Sequence, residues 1–280
     1  MGRSSTQTAT RGKRGPFGFI LRYLRLAGIF ATASVSAQLE YRTNFALGVL
    51  GALLEATGAL FGLLILLGDG QSLGGWSYYE AAVLVGLFTF IQGMIGGLLR
   101  PNLNKMAEAV RTGTMDFTLL KPIDTQFLVS ARNVNIFVLP NLLTGLGVMG
   151  WALAQLPGVT ILSILGGIVL VGAALTIVYA VWFMLTTTAF WFVKVENITE
   201  LFNGLFRAGQ FPVTVFPSWA RFLFTFVLPI AFITTVPAEV LLGRIRPASV
   251  VSALVVAVGL VVVSRWLWLR AIGSYTSASS

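Results

Sequence analysis

The stretch LRPNLNKMAEAVRTGTMDFTLLKPIDTQFLVSAR, residues 99–132, is the only long polar segment in an otherwise strongly apolar chain. It carries five basic residues against three acidic ones. Apolar segments long enough to span a bilayer flank it on both sides. We therefore predict a hydrophilic loop between two membrane spans, where a soluble partner can reach it.

Residues that form and end helices subdivide this loop. Leu103, Met106 and Val110 recur at helical spacing and predict a short amphipathic helix. Gly113 follows as the residue type that ends helices in the left-handed conformation. Asp116 is then placed to cap a second short helix with its carboxylate.

The end of the loop contains a proline and a further aspartate. Pro122 is expected to stop the second short helix, and Asp124 to cap the helix that leads into the next span. The loop is therefore predicted as helix, break, short helix, break. The same pattern also fits a solvated connector with ordinary helix caps, and the pattern alone leaves both interpretations open.

The composition is that of a membrane protein. Hydrophobic residues make up 56% and charged residues 10%, against about a quarter charged in soluble domains. Cysteine and histidine are absent, which removes thiolate nucleophiles and the commonest metal ligand and general base. The net charge of +9 fits cytoplasmic Lys and Arg beside membrane spans better than a nucleic-acid partner. We predict an all-α polytopic membrane protein of about six transmembrane helices.

The first 43 residues hold seven basic residues and one acidic residue, so we place them in the cytoplasm. Residues 1–16 have no apolar run and are expected to form a disordered basic tail. Residues 17–43 carry apolar positions on one face and arginines opposite, which predicts an interfacial elbow helix. Residues 44–280 are then a single transmembrane domain.

Three spans are expected in the first half of this domain, at 44–67, 80–99 and 133–154. The connector 68–79 has no basic residue and contains Trp and Tyr, which predicts an external loop. Pro140 is expected to kink the third span.

The second half is less regular. Residues 161–193 predict either a tilted helix that projects into the cytoplasm or a span with an interfacial extension. Residues 212–237 contain four prolines in apolar sequence, which predicts proline-broken or re-entrant helices before the last span. The last span is placed at about 248–264.

Four arginines surround this last span. Arg265 and Arg270 are expected to extend from its cytoplasmic end toward water. Six spans with both termini inside would put Arg244 and Arg246 outside, against the usual charge bias.

Polar and small residues inside the spans indicate packing or a pathway. Glu55 lies near the middle of the first span, where a carboxylate costs roughly a few kcal/mol unless it is neutral, paired or facing water. A structural hydrogen bond and a position in a cavity both explain it. Gly58 with Gly62, and Gly93 with Gly97, form GxxxG pairs that suit packing within one chain or between two chains.

Two strings that look catalytic lack their required context. GLGVMG at 145–150 matches a dinucleotide-binding fingerprint but lies inside an apolar span with no preceding strand. GQSLG at 70–74 matches a nucleophile elbow, yet the chain has no histidine to act as its base. No phosphate-binding P-loop string occurs, so the chain is expected to carry no nucleotide site of its own.

The order of these segments resembles the ABC type-2 exporter permeases, in the bacterial branch whose membrane subunits are made separately from their ATPase. The resemblance extends from about residue 17 to the end. Its most specific parts are RTGTMDFTLLKPIDTQFLVSAR at 111–132 and SYTSASS at 274–280. It implies six spans, proline-broken helices before the last span, and a cytoplasmic coupling element in the loop 100–132.

The resemblance also implies which residues contact other molecules. Glu55 and Gln92 are the intramembrane polar residues that we expect to face the pathway or a polar partner. The residues expected to couple the loop to an ATPase are Arg111, Thr114, Asp116, Phe117, Lys121 and Pro122.

The partners implied by the resemblance are an ABC ATPase dimer and a second permease chain, identical or similar to this one. The chain is expected in the bacterial plasma (inner) membrane, crossing the lipid bilayer several times, with both termini cytoplasmic. No cofactor is expected. Lipid-like, hydrophobic and cationic compounds are the candidate substrates.

Two other classes of protein remain open at the level of sequence. One is a membrane-embedded enzyme that uses Glu55, Glu80 or Glu239 as acid or base. The other is a passive channel or scaffold.

Overall fold

The computed structural model describes residues 16–38, 42–67, 71–192 and 195–275, so nearly all of the expected basic tail lies outside the described residues. Within this part, β structure is confined to an isolated bridge between Leu73 and Trp76. The chain is an all-α polytopic membrane protein, as predicted. Its α-helices in chain order are α1 (Pro16–Gln38), α2 (Arg42–Leu67), α3 (Tyr78–Met94), α4 (Arg100–Arg111), α5 (Asp116–Leu119), α6 (Thr125–Ala131), α7 (Leu139–Ala154), α8 (Ile161–Thr187), α9 (Val195–Phe206), α10 (Ser218–Phe222), α11 (Val236–Leu241) and α12 (Pro247–Ser274).

Within the described ranges, five helical segments are long and apolar enough to cross a membrane. A bent pair, Ser218–Val227 followed by Ala231–Leu241, makes a sixth crossing if it is counted as one span. This agrees with the prediction of about six. The five segments are Thr43–Leu67, Tyr78–Arg111, Ile136–Ala154, Ile161–Phe190 and Pro247–Ser274.

The bent pair is the proline-broken element that the sequence predicts. Its two halves meet at 77°, and Pro229 lies in the break between them. Proline cannot donate a backbone hydrogen bond, so a helix does not continue regularly through it. Nearby, the Thr235 hydroxyl accepts a hydrogen bond from the backbone N–H of Val213 at 3.2 Å. A side chain thus satisfies a backbone group in this irregular region, as the bilayer requires.

The second span does not end at Leu99, contrary to the prediction. Residues 95–99 form a π-helical turn, and α4 continues from that turn as part of one 34-residue helical segment. Pro101 lacks a backbone N–H, and the side-chain amide of Asn102 donates to the Leu98 carbonyl at 2.6 Å. At about 1.5 Å per residue the segment is roughly 50 Å long, about 20 Å more than a bilayer core. The first helix of the polar loop is therefore a projection of a spanning helix.

Two further boundaries differ from the prediction. Pro140 does not kink the third span, because it lies in the first turn of α7, where a missing N–H removes no intrahelical bond. The last span continues to Ser274 instead of ending near Ser264. Arg265 is therefore inside this helix, and it forms an ion pair instead of extending into water.

The helix α3 forms the centre of the bundle, and glycines set its distance from α7. A Cβ at Gly145 would lie 2.5 Å from the Phe90 nitrogen, and one at Gly86 would lie 2.6 Å from the Met149 nitrogen. Only glycine allows the two backbones to approach this closely. The GLGVMG string that contains Gly145 is thus a helix-packing element. Gly93 likewise faces α7, with the Leu142 side chain 2.7 Å from an added Cβ, so this predicted glycine pair packs within the chain.

The helix α1 is attached to the segment that precedes α7. The Gln38 amide donates to the Val134 carbonyl at 2.6 Å and accepts from the Ile136 N–H at 3.0 Å. The Ser34 hydroxyl accepts from the Val134 N–H at 3.3 Å. These contacts fix the end of α1 to the point where the polar loop returns to the bundle.

At the other end of the bundle, Arg244 has a specific partner. Its guanidinium forms an ion pair with Glu80 and lies 5.5 Å from the centre of the Trp76 ring. Since α3 begins here and its continuation ends in the polar loop, this is the face opposite that loop. Pairing with Glu80 offsets the charge of Arg244 at this end of the bundle.

Candidate functional site

The polar loop 100–132 is a hairpin whose two legs, α4 and α6, are joined by buried amide contacts. Asn102 is 2% exposed, and its side chain accepts from the Asn133 N–H at 2.8 Å and donates to the Asn133 carbonyl at 2.7 Å. Lys105 donates to the Asn133 side-chain oxygen at 2.6 Å. These bonds join the start of α4 to the segment that directly follows α6.

The turn between α4 and α5 has the geometry that the sequence predicts. Gly113 has φ +72°, and its N–H donates to the Val110 carbonyl at 3.3 Å. Met115 follows with its side chain fully buried, and its N–H donates to the Ala109 carbonyl at 3.1 Å. Gly113 thus reverses the chain, and Met115 anchors α5 to the bundle.

The short helix α5 and the residues after it form the tip of the hairpin. The Phe117 side chain is 71% exposed and Leu120 is 82% exposed. These two large apolar side chains lie at the end of a polar loop, away from the spanning segments. Thr114, Lys121 and Pro122 beside them are also exposed. An aromatic and an aliphatic side chain surrounded by polar residues are typical of a protein-binding patch. We call these five residues the tip surface.

Arg111, the last residue of α4, lies next to this tip. It forms an i,i+3 ion pair with Glu108, and the two side chains are 55% and 52% exposed. Such exposed pairs stabilise a helix by only about 0.2–0.5 kcal/mol. About half of the Arg111 side chain, 55%, is exposed beside the tip surface.

Asp116 does not cap α5 as predicted. Met115 occupies the cap position with no side-chain cap bond, and Asp116 is the first residue of the helix. An acidic residue in the first turn still interacts favourably with the helix dipole. Its carboxylate also acts on Tyr275, just beyond α12. Burial raises the pKa of the Tyr275 hydroxyl, and the negative charge of Asp116 raises that pKa further.

The returning leg of the hairpin is tied to two spanning helices through Asp124. As predicted, Asp124 caps α6 by accepting from the Phe127 N–H at 2.9 Å. Its other carboxylate oxygen pairs with Arg265 of α12 at 2.7 Å. Arg265 also donates to Gln126 at 3.0 Å, and Gln126 donates to the Tyr179 hydroxyl of α8 at 3.2 Å.

The same residues reach α1. The Asp124 N–H donates to the Tyr23 hydroxyl at 3.2 Å, and the Tyr23 ring lies edge-on to Phe127 at 4.6 Å. One polar network therefore connects the hairpin to α1, α8 and α12. We call Asp124, Gln126, Tyr179 and Arg265 the loop network.

Sequence reasoning identified Asp124 only as a cap and missed the rest of the loop network. Arg265, which pairs with Asp124, is 141 positions away along the chain, and Tyr179, which accepts from Gln126, is 53 positions from that residue, so no local pattern indicates these contacts. One signal was present, since an arginine within an apolar helix requires a polar partner.

The two intramembrane polar residues lie in different surroundings. Glu55 is exposed on α2, and in the part of the chain that the structure describes its carboxylate has no partner. Gly51, Gly58 and Gly62 share its helical face, and a Cβ at any of the three would contact nothing within 4 Å. Gln92 on α3 is half-buried. The structure thus places Glu55 on an open face of the single chain, away from Gln92 in the bundle.

The acidic residues in the described ranges form no group of three that could hold a metal ion. The hairpin presents exposed apolar side chains at its tip, and polar contacts connect its returning leg to the spans.

Comparison with known proteins gives one family. No curated protein and no solved structure matches the chain. The sequence model described as ABC-2 family transporter protein matches residues 53–279. That range contains the hairpin, the broken helices and the last span, and it covers most of the chain. The chain belongs to the ABC-2 transporter family and is a multi-pass membrane subunit of an ABC transporter.

Proposed function

We propose that this chain forms half of the translocation pathway of an ATP-driven exporter and is coupled to a separate ATPase dimer through the loop 100–132. The observation that carries the proposal is the tip surface, where Phe117 and Leu120 are 71% and 82% exposed. Burying two such side chains against a partner would contribute about 1.5–3 kcal/mol each. Left in water, they serve no purpose within this chain.

The hairpin is suited to transmit movement because both of its legs are anchored. The leg α4 continues α3 without a break, so a displacement of the tip moves a central spanning helix. The leg α6 acts through Asp124 and Arg265 on α12. An ATPase dimer that closes on nucleotide would therefore pull on two parts of the bundle at once.

A second copy of this chain, or a similar chain, would complete the pathway across the open face of α2. Three glycines there permit close approach of another helix, and Glu55 lies among them. A carboxylate facing lipid at this depth is costly, so a protein or water-filled surface should cover it. Gln92 is then a polar residue nearer the centre of each half.

The charge distribution supports the bacterial inner membrane with both termini cytoplasmic. The helix α1 contacts the hairpin through Tyr23 and Asp124, and within residues 17–43 it would lie in the interface as an elbow. The opposite face carries Arg244 neutralised by Glu80. Export of a lipid-like or hydrophobic compound is supported by an apolar cavity of about 760 Å³ between α8, the bent pair and α12.

Copurification with the ATPase tests the tip surface directly. The double variant Phe117→Ala, Leu120→Ala should weaken the complex about tenfold or more, because it removes the apolar anchors. Phe222→Ala is the matched control, since Phe222 is also well exposed, at 61%, but lies in α10 of the bent pair. Insertion and thermal stability of the permease should be unchanged in both variants.

Charge variants beside the tip refine this experiment. Arg111→Glu should add repulsion against an acidic rim on the ATPase, and Asp116→Ala should weaken α5 and its contact near Tyr275. Both should lower ATP-dependent export. If the tip variants and the charge variants bind the ATPase and export like the parent, the loop is an ordinary connector and the proposal is wrong.

A further inference from the structure

A polar pocket of about 230 Å³ lies between the helices of the hairpin. Each of α4, α5 and α6 contributes to its lining. Lys105 of α4 and Arg132, the residue that follows α6, both line it, and Thr118 of α5 adds a hydroxyl group. The pocket is smaller than the pockets of about 300–1,000 Å³ that hold drug-sized ligands, so it suits a small chemical group.

Both charged residues of the lining are basic. No acidic residue occurs among the described residues that line the pocket. Lys105 and Arg132 form no ion pair within the described part of the chain. Glu108 and Asp124, two carboxylates of the same loop, pair with other arginines. The pocket therefore has two positive charges and no described carboxylate to balance them.

The same side chains have unused hydrogen-bond donors. The Lys105 ammonium has three N–H donors and uses one on the Asn133 side-chain oxygen, at 2.6 Å. The Arg132 guanidinium has five N–H donors, and neither it nor the Thr118 hydroxyl bonds to another described residue. Two cations with free donors are the arrangement that proteins use to bind phosphate oxygens. A phosphate group also offers more acceptor oxygens than a carboxylate does.

The position of the pocket along the spanning segment makes it accessible to phosphate groups. Lys105 lies roughly 40 Å along the segment that begins at Tyr78, at about 1.5 Å per residue. A bilayer is about 40–45 Å thick with its headgroup layers. The pocket is therefore close to the outer edge of a headgroup layer, where lipid phosphates and dissolved phosphate are both present.

We propose that this pocket binds one phosphate group through Lys105, Arg132 and Thr118. The group belongs either to a phospholipid or to a free phosphate ion, because both offer the same oxygens to these donors. Lys105 belongs to α4 and Arg132 follows α6, so a bound phosphate joins the two legs of the hairpin beside the bonds between Asn102 and Asn133. It also removes the repulsion between the two cations.

The first test is the Tm of the purified chain, without the ATPase, in a neutral detergent with increasing inorganic phosphate and constant ionic strength. The parent should show a saturable rise in Tm, because a ligand that binds only the folded state stabilises it. Lys105→Gln and Arg132→Gln should each weaken the apparent affinity about tenfold, since each removes charge-assisted hydrogen bonds. Both variants should fold, because glutamine can still donate to Asn133 and the Arg132 side chain bonds to no described residue.

The matched control is Arg100→Gln, which removes the same charge from the same helix. Arg100 is exposed, does not line the pocket and lies about 140° around α4 from Lys105. This variant should bind phosphate like the parent. An equal loss of affinity in Arg100→Gln would mean that a generally basic surface attracts the anion, and it would overturn the site.

The second test identifies the source of the phosphate group. Native mass spectrometry compares retention of phosphatidylglycerol and phosphatidylcholine that carry the same acyl chains. A preference for phosphatidylglycerol that Arg132→Gln loses and Arg100→Gln keeps would identify a lipid headgroup, and a saturable effect of inorganic phosphate without that preference would identify the free ion.

The proposal is wrong if neither measurement distinguishes the parent from Lys105→Gln and Arg132→Gln. Because no ATPase is present, this outcome is independent of coupling through the tip surface, which the Phe117 and Leu120 variants test separately.

Discussion

The helices α2 and α3 are adjacent in sequence and almost equally hydrophobic, yet α3 is mostly buried in the bundle and α2 is mostly exposed. In the most apolar stretch of the α3 segment 67% of the residues are buried, against 17% in the most apolar stretch of α2. On α3, glycines contact the backbone of α7, whereas three glycines on α2 contact nothing. Hydropathy identifies a span but does not indicate what covers it. The open glycines and Glu55 of α2 are the features on which the proposed contact with a second permease chain depends.

The largest effect should come from filling the α3–α7 contact. Gly145→Leu would place a side chain where even a Cβ lies 2.5 Å from the Phe90 nitrogen, so the helices must separate. We expect a loss of about 3 kcal/mol or more of stability, or failure to insert. Thermal unfolding in detergent measures this, with Gly147→Leu on the same helix as the control. A parent-like Tm for Gly145→Leu would show that the contact is not close.

A smaller effect is expected from the corresponding change on α2. The double variant Gly58→Leu, Gly62→Leu should leave the stability of the single chain unchanged, because both sites are open. It should weaken association of two permease chains about a hundredfold. Crosslinking and sedimentation of the purified subunit measure this association. Unchanged association would mean that α2 faces lipid. The helices α2 and α3 would then differ only in how deeply they lie in the bundle.

Glu55→Leu comes next in size. Removal of the carboxylate should lower export about tenfold, because a polar residue of the proposed pathway is lost, with no loss of stability in the purified chain. Transport into vesicles measures the effect, and Leu54→Val on the exposed side of the same helix is the control. Parent-like transport together with higher stability would mean that Glu55 is a tolerated carboxylate without a role in the pathway.

The smallest effect should come from the ion pair at the start of α3. Glu80→Gln removes the partner of Arg244 but keeps the stacking on Trp76, so the cost should be about 1 kcal/mol or less for this partly exposed pair. Chemical denaturation measures it, and higher salt should reduce the difference. A much larger loss would mean that this contact, as well as the glycines, fixes α3 in the bundle.

Predictions from sequence succeeded where the cause is local. Gly113 ends a helix because its own backbone has positive φ, and Asp124 caps a helix because the N–H that it accepts from is three residues away. Pro229 breaks the bent pair because proline itself has no backbone N–H to donate, which is also a local cause. These outcomes depend on a few neighbouring residues, so a single sequence contains the information.

Predictions failed, or were not made, where the cause is a distant residue. The contacts that were missed join segments far apart in the chain: Asp124 with Arg265, Gly86 with Gly145, and Asn102 with Asn133. Helical periodicity gives the faces of each helix but not their partners. Asp116 was assigned one position too early in its helix, because a carboxylate suits both the cap and the first turn.

The proximity of Tyr275 to Asp116 has a practical consequence for handling this protein. The last turn of α12 ends beside α5, next to the tip surface, so a tag or fluorescent protein fused after residue 280 begins only a few residues from the proposed ATPase contact. Such a fusion would compete sterically with the ATPase and mimic a coupling defect. Labels are better attached at the amino-terminal end, and a loss of function seen only with carboxyl-terminal fusions would itself map the docking site.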